Sequence, residues 1–186
     1  MPNPILTLAA RTARLLPNAL KQALYKIDPL ARLLRGVLNR AAPEGLSTVS
    51  VAAGMLTGAQ LQLNLQAEKD YWLGTYEPEL HAAITAHVQP GMTAYDVGAN
   101  IGYISLGLAR AVGTEGLVWA FEALPANQQR LRANVALNPD LKVNVVPQAV
   151  TGQSGPVDFL VHASGEMGKA AGSAGRQESY AETITV

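Results

Sequence analysis

Apolar residues recur along this chain at three different spacings, and each spacing predicts a different element. In residues 17–42, Leu20, Leu24 and Ile27 are followed by Leu30, Leu34 and Leu38, a period close to four. That spacing predicts two short helices divided at Asp28-Pro29, a cap and a residue suited to the first helical position. From Thr48 to Gln66 the period falls to two. Val49 and Val51 alternate with polar neighbours, Gly54 and Gly58 interrupt, and Leu61, Leu63 and Leu65 alternate with Gln62, Asn64 and Gln66. This predicts a short antiparallel ribbon. A helix should follow, with Thr75 as cap, Pro78 in the first turn, Leu80, Ile84 and Val88 as its apolar face and Gln89-Pro90-Gly91 as its stop.

Beyond Met92 the two periods alternate. Strands are expected at Thr93–Val97, Leu117–Phe121 and Val143–Val150, and helices at Tyr103–Val112 and Pro125–Leu137. Strands separated by helices of ten or more residues need right-handed crossovers, so the sheet should be parallel. The predicted class is α/β: an open, Rossmann-like parallel sheet, preceded by helices and the small ribbon, with its ligand edge at the C-terminal ends of the strands. After Thr151 a further strand is expected at Val157–Val161. Residues Ala163 to Ala181, with four glycines among small and polar residues, read as a loop before a last strand begins at Thr183.

Composition narrows the function. Of the 186 residues none is cysteine, so disulfides, thiolate metal sites and cysteine nucleophiles are excluded. No other grouping has metal-ligand spacing, so no metal site is expected. Basic and acidic residues balance at 14 each, but unevenly. Residues 1–40 carry seven Lys/Arg and one Asp, and the rest carries seven Lys/Arg and thirteen acids, charges of +6 and −6. A globally basic nucleic-acid binder is therefore disfavoured and no nucleic-acid partner is expected. Residues 1–40 read either as a helical lid with a solvated basic face or as a peripheral contact for an anionic membrane or a protein. No apolar run approaches the length of a membrane span, and the start of the chain lacks signal-peptide character, so a cytoplasmic location is expected.

The densest chemistry lies in Asp96-Val97-Gly98-Ala99-Asn100-Ile101-Gly102-Tyr103. Asp96 near the end of a buried strand requires partners, because a carboxylate does not leave water cheaply. Gly98 and Gly102 allow a sharp turn and close approach of a ligand to the following helix N-terminus. Twenty residues after Gly102, Glu122 ends the second strand, where a carboxylate can accept both hydroxyl protons of a ribose. A dinucleotide fingerprint would need glycine where Asn100 and Tyr103 stand, and no Gly-Lys pair makes a phosphate loop. Two acids and no phosphate grip suit a cationic nucleoside without phosphates, and S-adenosylmethionine fits.

The segments Trp72-Leu73-Gly74-Thr75-Tyr76-Glu77-Pro78, Asp96 to Tyr103, Ala120-Phe121-Glu122 and Leu131 to Asn138 resemble the FkbM family of S-adenosylmethionine-dependent methyltransferases. The resemblance implies a class I methyltransferase fold in which Asp96, Gly98, Ala99, Asn100 and Gly102 form the cofactor loop and Glu122 holds the ribose. It also implies O-methylation of a sugar or secondary metabolite, with a small molecule or glycan as acceptor. Family members continue with a Lys-Ile-Asp-Val-Glu-Gly type motif and further strands, which this sequence does not contain. The domain is therefore expected to be incomplete at its C-terminus: 1–45 a basic helical segment, 46–186 a truncated methyltransferase domain, 91–150 its cofactor half. The alternatives are a nicotinamide-cofactor oxidoreductase domain of the same class and a non-catalytic fragment that binds through its basic helices.

Other residues are weaker candidates. Glu77 matches the family's Tyr-Glu pair and equally suits the first turn of a helix. His81 and His87 read as surface histidines rather than bases, His162 has no role assigned, and Tyr103 either covers the cofactor or packs the helix start.

Overall fold

The computed structural model describes residues 4–16, 20, 28–162, 168–173 and 180–186. The chain forms two compact units, residues 1–86 and 87–186.

The first unit opens with helix α1 (Pro4–Leu15), an element the apolar spacing did not predict, packed against α2 (Asp28–Ala41). The helix expected before Asp28 falls largely outside the described residues. The ribbon forms as predicted from β1 (Leu46–Ser50) and β2 (Gln60–Asn64), antiparallel with Leu46 opposite Asn64 and Ser50 opposite Gln60. Alternation puts Leu61, Leu63 and Leu65 inward, where they are buried with Val51 and Leu56.

A short helix absent from the sequence prediction, α3 (Lys69–Leu73), packs on β2 and ends at Gly74 in the left-handed region. Ala52 donates its N–H to the carbonyl of Trp72 at 2.8 Å, and this brings the backbones at Gly54 and Gly74 together. A Cβ on Gly54 would lie 2.9 Å from both Cα and the carbonyl oxygen of Gly74. Glycine is needed there for space as well as for its φ of +82°.

Helix α4 (Pro78–His87) follows, but its buried face is not the one expected. His81 and Ile84 are buried and Leu80 is exposed, so His81 is no surface residue. Thr75 hydrogen-bonds the Asp70 carboxylate at 3.3 Å, and Glu77, directly before the helix, takes a φ of +42°. Desolvation holds the His81 imidazole below its ordinary pKa of 6.5, with Glu77 pulling the other way.

In the second unit, β3 (Thr93–Val97), β4 (Leu117–Phe121) and β5 (Val143–Val146) form a parallel sheet in the order β3-β4-β5, as the alternating periods predicted. The register pairs Asp96 with Ala120 and Val97 with Phe121, and Ala120 with Val145. Helices α5 (Tyr103–Val112) and α6 (Pro125–Ala136) pack on the sheet, where Ala99, Ala120 and Leu131 are buried against Val135, Val143 and Val145. Tyr95 and Val97 point to the opposite face and are exposed. Strand β5 stops at Val146, short of the predicted Val150, because Pro147 cannot donate to a ladder.

A second, antiparallel sheet closes the unit: β6 (Asp158–His162) lies between β7 (Gly168–Ala170) and β8 (Tyr180–Thr185). The expected loop from Ala163 to Ala181 therefore contains a strand. Glycine at 168 leaves room for the Phe159 ring on β6, so a residue read as a loop signal is a strand residue. The remainder of that loop, residues 163–167 and 174–179, lies outside the described residues.

Two outcomes follow from the first unit. Gly54→Ala should destabilise the protein by at least about 2 kcal/mol in urea unfolding, the combined cost of a left-handed alanine and a backbone clash. Because folding lowers the pKa of His81, its contribution to stability is present above about pH 6.5 and is lost as pH falls from there toward the folded value. The urea midpoint should therefore decline between about pH 7 and about pH 5 by less in His81→Gln than in the parent chain.

Candidate functional site

The turn between β3 and α5 is built from three left-handed residues within five: Gly98 at φ +85°, Asn100 at +50° and Gly102 at +89°. Asparagine is among the few non-glycine residues that accept this region readily. Gly98 and Ala99 both donate their N–H groups to the carbonyl of Phe121 at 2.9 Å, and Gly102 donates to Ala99 at 2.8 Å. The chain thus folds back over the end of β4 before starting α5. Helix α5 begins at Gly102 with no side-chain cap, so its first-turn amides are turned toward the turn rather than consumed by a cap. The space at the Cβ position of Gly98 is open, with no heavy atom within 4 Å. At Gly102 a Cβ would run into the Leu131 side chain, so this glycine serves packing.

Glu122 stands one residue beyond β4 and is only 6% exposed. Its Oε2 accepts the N–H of Asn100 at 2.7 Å and its Oε1 the N–H of Leu124 at 2.8 Å, with Asn127 Nδ2 at 3.5 Å. Its own N–H donates to the carbonyl of Val146 at 3.1 Å, and its carbonyl accepts Gln128 Nε2 at 2.9 Å. The carboxylate therefore clasps the turn after β3 to the start of α6. A carboxylate offers about four acceptor positions, so Oε2 retains one, while Oε1 is taken up by Leu124 and Asn127.

Asp96 lies on β3 opposite Ala120, so it and Glu122, two residues beyond Ala120, share one face of the sheet. Its Oδ2 accepts the hydroxyl of Ser105 at 2.5 Å, tying the strand to α5. The geometry thus brings Glu122 directly onto the turn, and Asp96 beside it through the first turns of α5. Ala99 is buried at the base of the turn. Tyr103 is buried as well, and burial drives its hydroxyl pKa upward, so it packs the helix start.

Sequence reasoning passed over three residues. Ser105, fully buried, satisfies Asp96. Asn134, also fully buried, donates Nδ2 to the carbonyl of Ile101 at 2.8 Å and so fixes the far side of the turn. Asn127 supports Glu122. The available signal was spacing: Asn127, Leu131 and Asn134 fall at i, i+4 and i+7, one helix face, with polar residues at two of the three positions. Among the described residues no cluster of His, Asp or Glu could hold a metal ion.

The clasp predicts a specific cost. Glu122→Gln keeps the shape but sets an amide N–H₂ against one of two backbone donors, so unfolding free energy should fall by about 1–3 kcal/mol. Amide exchange at Asn100 and Leu124 should accelerate by more than at β4 residues such as Val118. Unchanged exchange at both amides would show that the carboxylate does not hold them.

Comparison with known proteins places this geometry. The model of the methyltransferase FkbM domain matches residues 96–186, which begin at Asp96 and include the whole turn and Glu122. Among solved structures, a protein described as an rRNA methylase from Clostridium thermocellum is 23% identical over 39% of this chain and 39% of its own, with a TM-score of 0.37. A SAM-dependent methyltransferase from Aquifex aeolicus is 25% identical over 39% and 38%, with a TM-score of 0.35. A SAM-dependent O-methyltransferase from Thermotoga maritima is 24% identical over 44% and 28%, with a TM-score of 0.34. The chain spans well under half the length of these structures. No curated protein matches it significantly. The expected exclusion of a nucleic-acid partner finds no support in these comparisons. Residues 96–186 of this chain are thus similar to the methyltransferase FkbM domain.

Proposed function

We propose that the chain binds S-adenosylmethionine at the C-terminal edge of β3 and β4 and serves O-methylation of a hydroxyl on a sugar or secondary metabolite. The observation that carries this reading is the Glu122 carboxylate, buried at the strand end and already seated on the Asn100 amide. The groups present suit that cofactor. The remaining acceptor position on Glu122 Oε2 suits a ribose hydroxyl, and the space beside Gly98 admits the nucleoside. The uncapped amides opening α5 suit the methionine carboxylate, and the negative charge of Asp96 suits the ammonium group, directly or through water. Ala99, Asn100 and Gly102 act through the backbone course they give the turn.

When bound, S-adenosylmethionine supplies an electrophilic methyl group on a cationic sulfonium. The protein's part is then positioning and exclusion of water. Glu122 and Asn134 hold the turn from its two sides, so the cofactor-facing backbone is fixed before ligand arrives. Acids outnumber basic residues by six over residues 41–186, which suits a cationic cofactor and an uncharged acceptor better than a polyanion.

Calorimetric titration with S-adenosylmethionine, S-adenosylhomocysteine and NAD tests the reading. The two S-adenosyl ligands should bind and NAD should not. Asp96→Ala and Glu122→Ala should each weaken them by about 1–3 kcal/mol, the cost of a lost charged hydrogen bond. Binding of NAD with neither S-adenosyl ligand would instead establish a nicotinamide site.

A further inference from the structure

The described part of residues 1–40 holds a distinctive surface of its own. Ile5, Leu8, Leu15, Leu20, Leu33 and Val37 are all exposed, Leu8 at 67% and Leu15 at 84%. On α1, Ile5, Leu8 and Leu15 share one side of the helix at i, i+3 and i+10. The other side is committed: Ala13 is buried, and Arg14 Nε donates to the carbonyl of Ala52 at 3.1 Å. Helix α1 is thus held with its leucine stripe outward and with exposed Arg11 bordering that stripe. On α2, Leu33 and Val37 form a second exposed stripe at i and i+4, bordered by exposed Arg40.

Charge selects the occupant. Seven Lys/Arg stand against the single acid Asp28 in residues 1–40, a net charge of +6, and among the described side chains Arg11, Arg14, Arg32 and Arg40 are exposed. Neither helix contains an aromatic residue, whereas protein interfaces concentrate energy in Trp, Tyr and Arg anchors. Aliphatic stripes edged by arginine match a medium that is apolar within and anionic at its surface. No helix among the described residues is long and apolar enough to cross a membrane, and α1, at 12 residues, spans only about 18 Å.

We propose that α1 and α2 form an interfacial element that rests on an anionic lipid bilayer. Leu8, Leu15, Leu33 and Val37 enter the boundary of the acyl chains, and Arg11 and Arg40 meet the headgroup phosphates. The inference does not depend on methyl transfer and stands or falls separately from it.

Sedimentation of the full chain with vesicles of phosphatidylcholine, alone or mixed with phosphatidylglycerol, tests it. The chain should sediment with the mixed vesicles at low salt, less at high salt, and little with phosphatidylcholine alone. Arg11→Gln with Arg40→Gln should weaken binding to mixed vesicles about fivefold per arginine, and Leu8→Asp with Leu15→Asp by more than about tenfold. All four positions are exposed, so circular dichroism and thermal melts should match the parent chain. Equal binding to neutral and anionic vesicles, binding to neither, or leucine variants that bind like the parent would each overturn the proposal. So would a dimer in sedimentation velocity that Leu8→Asp with Leu15→Asp dissolves while vesicles recover no protein, since that assigns the surface to a second copy.

Discussion

The Glu122 carboxylate, held between the amides of Asn100 and Leu124, is the contact on which the loops at the C-terminal edge of the parallel sheet depend. A buried carboxylate is costly to leave without donors, and here each oxygen has one within 2.8 Å. The two amides belong to different segments: the turn that follows β3 and the lead-in to α6. A single ionised group therefore fixes two loops at once, and a charge that would otherwise oppose folding becomes the reason that those loops have one conformation. The same residue passes its backbone N–H to Val146, so the end of β5 is coupled to the clasp as well.

Such a clasp works only if the turn can present its amide inward. That requirement explains the run of left-handed residues at 98, 100 and 102. A turn of ordinary residues would carry the chain away from β4 rather than back over Phe121, and the Asn100 N–H would miss the carboxylate. Asn134 completes the arrangement from the opposite side by taking the Ile101 carbonyl. The turn is thus pinned at consecutive residues, one by a donor and one by an acceptor, from two different elements. Preorganisation of this kind lowers the cost of ordering a loop around a ligand.

How far this was legible in the sequence depended on whether burial and hydrophobicity coincided. Where they did, the reading was close: the alternation of Leu61, Leu63 and Leu65 gave the ribbon, and the three parallel strands with their two helices fell nearly at their observed bounds. The glycine spacing foretold the turn after β3, and Glu122 stood out at a strand end, since left-handed backbone and an acid at a strand end are local properties. Where burial was polar, the pattern was silent. Helix α6 buries Asn127 and Asn134 beside Leu131, and α4 buries His81 in place of Leu80. Helix α1 was missed for the converse reason. Its large apolar residues face outward and its buried position is an alanine, so the spacing carried no sign of a core-facing stripe.

That inversion in α1 bears on how the two charge blocks are to be understood. A helix that buries Ala13 and exposes Leu8 and Leu15 gains less from folding than one turned the other way, by roughly 25 cal/mol for each Å² of apolar surface left in water. The orientation is nevertheless fixed by the Arg14 contact to Ala52, which a rotated helix would forfeit. A surface that keeps its leucines in water beside exposed arginines is poorly suited to solvent and well suited to an anionic apolar boundary. In residues 41–186 the opposite charge prevails, and Asp96 accepts from Ser105 while Glu122 accepts from backbone amides. Each segment's net charge is then explained by the sign of what it is proposed to meet, and the zero total for the whole chain is the sum of two separate requirements.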